Sequence, residues 1–298
     1  MPTRLLPRPQ GILGPPRRVP ADRLDVGQAR VRGSTPCNEA HVSMHQELLE
    51  RLKGKTAWIT GGKRVGHVVA LALAELGVNL VLSYRSSREE ASHTASEAGQ
   101  LGVRTLTIQA DVSDRENVVR AVDEARKTFP AFDILVNMAS VFAPIKLADI
   151  RKGDMEANIL AHLYGTLWPS QVISEYMPRG GHIINISDRT AVGHVYPEYL
   201  PYAVTKGSVA SLTRALAVEL GEKGIFVNDI APGPIIKPPH ISPEEWKEIR
   251  EQSGVKYPVD DAEAMRQFAL QVVHLSLTTM ASGSTFALDQ GQNLVCES

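Results

Sequence analysis

Ile183-Ile184-Asn185-Ile186-Ser187-Asp188, and downstream of it Tyr202-Ala203-Val204-Thr205-Lys206, are the two pieces of sequence on which the fold turns. The first is a short apolar run closing in two polar residues, the pattern of a buried strand read to its carboxyl end. Beyond the second, apolar residues recur at helical spacing: Val209, Leu212, Leu216 and Val218. Tyr202 and Lys206 therefore stand at i and i+4 on one helix face, with Cβ atoms about 5–6 Å apart. A neighbouring ammonium favours the phenolate, so this tyrosine is read as a proton-exchanging group, although a free phenol titrates at about 10. On an isolated amphipathic helix the same spacing is an ordinary surface pair. The surroundings decide.

Outward from this stretch the same unit repeats: short apolar strand, turn, amphipathic helix. The sequence predicts strands near 56–60, 79–84, 104–109, 134–137, 182–186, 225–230 and 285–289. Helices are expected near 66–76, 88–100, 115–128, 154–176, 202–223 and 261–277. Seven strands alternating with helices predict an α/β fold, a doubly wound parallel sheet with helices on both faces, in a single domain over residues 44–298. In such a sheet ligands bind outside the carboxyl ends of the strands. Every motif named below sits at one of those ends.

The first strand closes in Thr60-Gly61-Gly62-Lys63-Arg64-Val65-Gly66 and leads directly into a helix. Glycines let the backbone approach a pyrophosphate, while the helix start offers free N–H groups and a positive dipole. The second strand closes in Tyr84-Arg85-Ser86-Ser87, with no carboxylate to accept from ribose hydroxyls. An arginine flanked by hydroxyls suits a 2′-phosphate that an aspartate would repel, so NADP(H) is the cofactor expected. Arg85 on a solvated loop is the plain alternative.

Composition narrows the field. The 298 residues are 43% hydrophobic and 22% charged with a net charge of −1, which leaves no footprint for nucleic acid. No apolar run approaches the ~20 residues of a membrane span. Cys37 and Cys296 match no metal or disulfide spacing, in keeping with a cytoplasmic, reducing setting. Residues 1–36 hold seven prolines and seven arginines against two acids, a formal charge of +5. Residues 1–43 are therefore read as a disordered extension, or as sequence preceding a true start at Met44.

Taken in order, these residues resemble the short-chain dehydrogenase/reductase family. The glycine turn at 60–66, Asp111-Val112, Asn137-Met138-Ala139-Ser140, the Tyr202/Lys206 pair and Pro232-Gly233-Pro234-Ile235 fall in that family's order and spacing, over roughly residues 55–294. The resemblance implies a Rossmann-type sheet of seven strands, a nicotinamide cofactor, Tyr202 as proton donor and Lys206 beside it. It further implies that Asp111 and Val112 hold the adenine, that Asn137 and Ala139 line the adenosine side, and that the Pro232 turn, with Gly233 and Ile235, packs on the nicotinamide. Self-association as a tetramer or dimer, through the long helices and the last strand, is likewise an implication of the resemblance.

The departures carry the finer reading. His162 aligns with the family's catalytic Asn, with Asn158 one turn earlier, and Lys237 stands near a usual Thr. Asp188 falls where the catalytic Ser is usual, with Ser187 just before it. Asp188, Arg64 in the glycine turn and Arg85-Ser86 together resemble pteridine reductases within the family. An ionised carboxylate only accepts, so it would repel a developing alkoxide yet suit a ring that presents N–H groups or gains positive charge. The sequence thus reads as an NADPH-dependent reductase of a C=N or C=O in a small, pteridine-like substrate. Left open are a 3-oxoacyl thioester or general ketone reductase working through Ser187, and a cofactor-binding sensor or scaffold of little turnover.

Overall fold

Alternating side chains build the sheet from its middle outward. In the computed structural model, which describes residues 44–61, 63–193, 195–238, 240–251 and 259–294, all seven expected strands form one parallel sheet. They are β1 (Thr56–Thr60), β2 (Asn79–Tyr84), β3 (Thr105–Gln109), β4 (Ile134–Asn137), β5 (His182–Ile186), β6 (Phe226–Pro232) and β7 (Thr285–Leu288), in the order β3-β2-β1-β4-β5-β6-β7. The expectations for residues 1–43 and for Gly62 lie outside the described residues. Ile59, Leu82, Val136, Ile184 and Ile230 face one layer of helices; Trp58, Val81, Leu135, Ile183 and Val227 face the other. All are buried, at about 1.5–3 kcal/mol each for a large aliphatic or aromatic side chain.

The helices are α1 (Met44–Leu52), α2 (Val65–Glu75), α3 (Arg88–Gln100), α4 (Arg115–Ala125), α5 (Lys152–Asn158), α6 (Gly165–Ile173), α7 (Leu200–Gly221), α8 (Pro243–Glu251) and α9 (Asp261–Leu275). Two of these correct the sequence reading. The helix expected over 154–176 is divided: a π-helical turn, Ile159–Tyr164, separates α5 from α6, and Pro169 inside α6 withholds one backbone donor. The segment after β6, where no helix was expected, contains α8. Its start is a capping box: Ser242 Oγ accepts from Glu245 N at 3.1 Å, and Glu245 accepts from Ser242 N at 2.9 Å.

The register aligns a row of polar residues near the carboxyl edge. Ser83 pairs with Thr60, Thr60 with Asn137, Asn137 with Asn185, Asn185 with Asp229 and Asp229 with Thr285. Apolar strand interiors end together along this line, and the functional groups lie just beyond it. The strand order reverses at β1 and β4, where chain crossings leave a crevice.

Candidate active site

A cavity of about 1160 Å³ opens over this edge, larger than the roughly 300–1,000 Å³ usual for a single small ligand. One half of it is shaped by backbone. Gly61 holds φ 76°, and a Cβ there would come within 3.0–3.1 Å of the Met138–Ala139 backbone; one at Gly66 would meet Gly61 O at 2.8 Å. The turn is thus closed to any side chain at either place. Arg64 follows with φ 54°, unusual for a residue with a Cβ, and its guanidinium donates to Lys237 O at 3.0 Å across the cavity mouth. Lys63 lines the same side and pairs with Glu90 at 2.6 Å.

Val65, Tyr84, Arg85, Ser86, Asp111, Val112 and Ala139 all line the cavity, as the sequence reading required of a dinucleotide half. Asp111 accepts from Ser113 N and Oγ, at 3.0 and 2.7 Å, which fixes the turn after β3. Pro232, Gly233 and Ile235 close the far end. Three expected cofactor residues stand elsewhere. Asn137 is buried in the polar row, donating to Ser170 Oγ and Asn185 Oδ1 at 3.0 and 2.9 Å, so it braces the strands instead of lining the adenosine side. Thr60 accepts from Met138 N and Ala139 N at 3.1 and 3.3 Å and works as a brace beneath the turn. Gly66 packs behind it. Lys237, near the usual Thr, gives its ammonium to Pro238 O and Ile241 O and shapes the loop leading to α8.

The other half is shaped by side chains. Tyr202, on the first turn of α7, points its hydroxyl at Asp188, donating to Oδ2 at 3.0 Å. Tyr196 donates to Oδ1 at 3.2 Å, and Thr190 N to the same oxygen at 2.9 Å. Burial first, and the Asp188 charge second, push the Tyr202 phenol well above its ordinary range. This reverses the sequence expectation of a phenol drawn down by Lys206. Burial and the Asp188 charge outweigh the ammonium, whose Nζ lies 5.9 Å from the ring centre and donates to Ile186 O at 2.7 Å. Burial in turn brings Lys206 down to about 8, opposed by Asp188 and Asp229.

Ser187 and Asp188 divide as the pleat requires. Ser187 Oγ donates to Asp229 Oδ2 at 2.6 Å and its N–H to Oδ1 at 2.9 Å, while Asp188 faces Tyr202. Burial raises the Asp229 carboxyl, and these two donors hold it partly back.

His162 is not in the cavity wall. It is 1% exposed, behind Tyr202, with the two rings edge to face at 5.4 Å. Thr205 Oγ1 spends its proton on Pro201 O at 2.7 Å, so it accepts from His162 Nδ1–H at 2.8 Å. Nε2 lies 3.0 Å from Ser140 Oγ and 3.2 and 3.1 Å from the N and O of Val141. Burial, with Lys206 nearby, brings this imidazole down to about 3, so it stays neutral. The π-helical turn directs it inward, and it ties the loop after β4 to α7. Asn158 donates to Asp154 O within its own helix.

Sequence reasoning missed an aromatic wall. Phe142 stacks on Tyr199 with ring centres 4.4 Å apart at 18°, and meets Tyr202 edge-on at 4.8 Å. Tyr196 and His240 join it, His240 Nε2 lying 2.9 Å from Tyr199 Oη. Trp246 and Ile249 of α8 also reach the cavity. The Ser242-Pro243-Glu244-Glu245 capping signal was the one local mark of that helix.

A doubly wound sheet with a glycine turn at its first strand end and a Tyr–Lys pair at its fifth defines a nucleotide-dependent oxidoreductase. The family model described as enoyl-(acyl carrier protein) reductase matches residues 62–293. Versicolorin reductase of Emericella nidulans is 32% identical over 186 residues, 62% of this chain and 70% of that protein. A short-chain dehydrogenase from Burkholderia cenocepacia, solved in complex with NADP, superposes with a TM-score of 0.75 at 28% identity, covering 82% of this chain and 99% of the other. A blue fluorescent protein from a metagenomic library, in complex with NADPH, gives 0.74 at 29% identity over 82% and 99%. The chain belongs to the short-chain dehydrogenase/reductase family of oxidoreductases. Among the described residues no helix is long and apolar enough to cross a membrane.

Proposed function

We propose that this chain is an NADPH-dependent reductase of a planar, N–H-bearing heterocycle of the pteridine kind. The observation that carries this is the hydrogen bond from Tyr202 to Asp188 in the cavity wall, with the Ser187 hydroxyl committed to Asp229. A carboxylate there accepts from ring N–H groups; a ketone reductase needs a donor at the same place. The stacked Phe142 and Tyr199 support a flat aromatic substrate, since such rings favour offset stacking.

The residues present fit a dinucleotide. The glycine turn is closed to any Cβ, α2 begins at it, and Arg85 and Ser86 line the cavity where a 2′-phosphate would be read. Solved relatives in complex with NADP and NADPH support the choice of NADP(H). When bound, the nicotinamide supplies hydride. Tyr202, held protonated by burial and Asp188, gives the proton; Lys206 offers positive charge to the phenolate left behind. Asp188 orients the ring, and His162 positions Tyr202 by clamping Thr205 to the Ser140–Val141 loop.

The acyl-thioester reading has one observation beside it: the matching family model is described as an enoyl-(acyl carrier protein) reductase, which names a thioester but not a 3-oxo group. NADPH oxidation with a dihydropterin beside an acetoacetyl thioester separates the two: turnover confined to the thioester would refute the proposal. Exposed Leu160 and Tyr164 before α6, and Leu200, Val204 and Val218 on α7, support self-association through these helices. A monomer in light scattering at micromolar concentration would contradict it.

A further inference from the structure

On the outer surface of the nucleotide half, His67 from the first turn of α2 meets His93 and Glu97, which lie one turn apart on α3. His67 Nε2 is 3.3 Å from one Glu97 oxygen, and His93 Nε2 is 3.5 Å from the other. All three donor atoms lie within 4.8 Å of one another. The tautomer of His67 is set by its neighbour. Thr94 Oγ1 gives its proton to Glu90 O at 3.0 Å, so its 3.0 Å contact with His67 is with an Nδ1–H. A neutral His67 therefore turns the Nε2 lone pair towards the Glu97 carboxylate. Acceptor faces acceptor, an arrangement that a cation between them satisfies.

We infer that His67, His93 and Glu97 bind a divalent transition-metal ion of the zinc class, which clips α2 to α3. Two imidazoles and a carboxylate are a zinc donor set, and imidazole suits zinc over magnesium or calcium. With metal–ligand bonds of about 2.0–2.2 Å, tetrahedral neighbours lie about 3.3–3.6 Å apart; each imidazole stands at that spacing from a different Glu97 oxygen, so the carboxylate either offers both oxygens or turns to bring one of them to both rings. His93 is exposed, so a rotamer change brings it the remaining distance, and the fourth position is open to water. Thr94 is the outer partner that orients His67, the usual companion of a ligating imidazole. None of the three ligands lines the cavity. The role is structural: α2 starts at the glycine turn and α3 just after Ser86, so the ion would fix the two helices that frame the phosphate half.

The test is calorimetric titration of the full chain, first stripped with a chelator, with zinc chloride at neutral pH, followed by thermal melting. One equivalent should bind and raise the melting temperature. His93→Ala, an exposed change that leaves the fold intact, should abolish that equivalent, and Glu97→Gln should do the same. Thr94→Val should keep the stoichiometry and weaken binding about 10–100-fold, as loss of an outer-shell partner does. No bound equivalent would overturn the proposal, leaving a histidine–glutamate ion pair in its place. So would an equivalent that survives both His93→Ala and Glu97→Gln.

Discussion

The nucleotide half and the substrate half of the cavity are made in different ways. The first is backbone: the turn at Gly61, the start of α2 and the turn after β3 fixed by Asp111. The second is side chains brought from three separate segments: Phe142 after β4, Asp188, Tyr196, Tyr199 and Tyr202 between β5 and the first turn of α7, and His240 with Trp246 before and within α8. Backbone shape requires particular residues at fixed local spacing, so it leaves a motif. A side-chain wall requires only that aromatic groups arrive from anywhere. The substrate half is therefore the part most open to change and the part that decides what is reduced.

The largest expected effect is on the substrate side. Tyr202→Phe removes the proposed proton donor and should lower kcat by roughly 10²–10⁴-fold, while NADPH affinity measured by fluorescence stays near that of the parent. A comparable loss of NADPH binding would show that the two halves are not separable. Activity of the parent should also fall above about pH 8, where Lys206 loses its charge.

Next in size is an acid effect centred behind Tyr202. His162 is held neutral down to about 3 and His182 to about 4, each by burial first. Both folded values lie below the unfolded value of about 6.5, so the unfolded chain binds more protons as pH falls. Stability should be full above about 6.5 and drop by about 1.4 kcal/mol per pH unit per histidine below it, until each folded value is reached. Denaturant unfolding at a series of pH values checks this, and His162→Asn should remove one of the two contributions. A flat profile between pH 7 and 5 would mean that neither ring is buried in solution.

The smallest effect belongs to the nucleotide half. Arg85→Asp should shift the NADPH/NADH preference by about 1.5–3 kcal/mol, the worth of one charge-assisted contact, and leave the choice of substrate alone. An unchanged preference would remove Arg85 from the phosphate site.

How much was legible follows the same division. Strand–helix alternation gave the seven strands, because apolar runs of four to six residues between turns have few other uses in such a chain. Of the residues read as nucleotide-binding, Val65, Tyr84, Arg85, Ser86, Asp111, Val112 and Ala139 line the cavity, while Asn137, Thr60 and Gly66 do not; Asn137 and Thr60 brace the strand ends. Tyr202 does line the cavity, but the sequence misjudged its protonation. Spacing showed the neighbour on its own helix, Lys206, and could not show burial or a carboxylate aimed at it from the turn after β5. The π-helical turn that buries His162 was invisible, since no residue type marks it. Alpha-8 was marked by its capping box and passed over amid the prolines.

The central claim is that Asp188, and not Ser187, meets the substrate. Asp188→Ser and Ser187→Ala are compared at saturating NADPH on a dihydropterin and on a simple ketone, so that cofactor binding is not mistaken for chemistry. Asp188→Ser should remove most of the pterin turnover and hold or raise activity on the ketone. Ser187→Ala should keep turnover on the pterin, at a stability cost of about 1–3 kcal/mol from the donor withdrawn from buried Asp229. Turnover abolished by Ser187→Ala and untouched by Asp188→Ser would contradict the account.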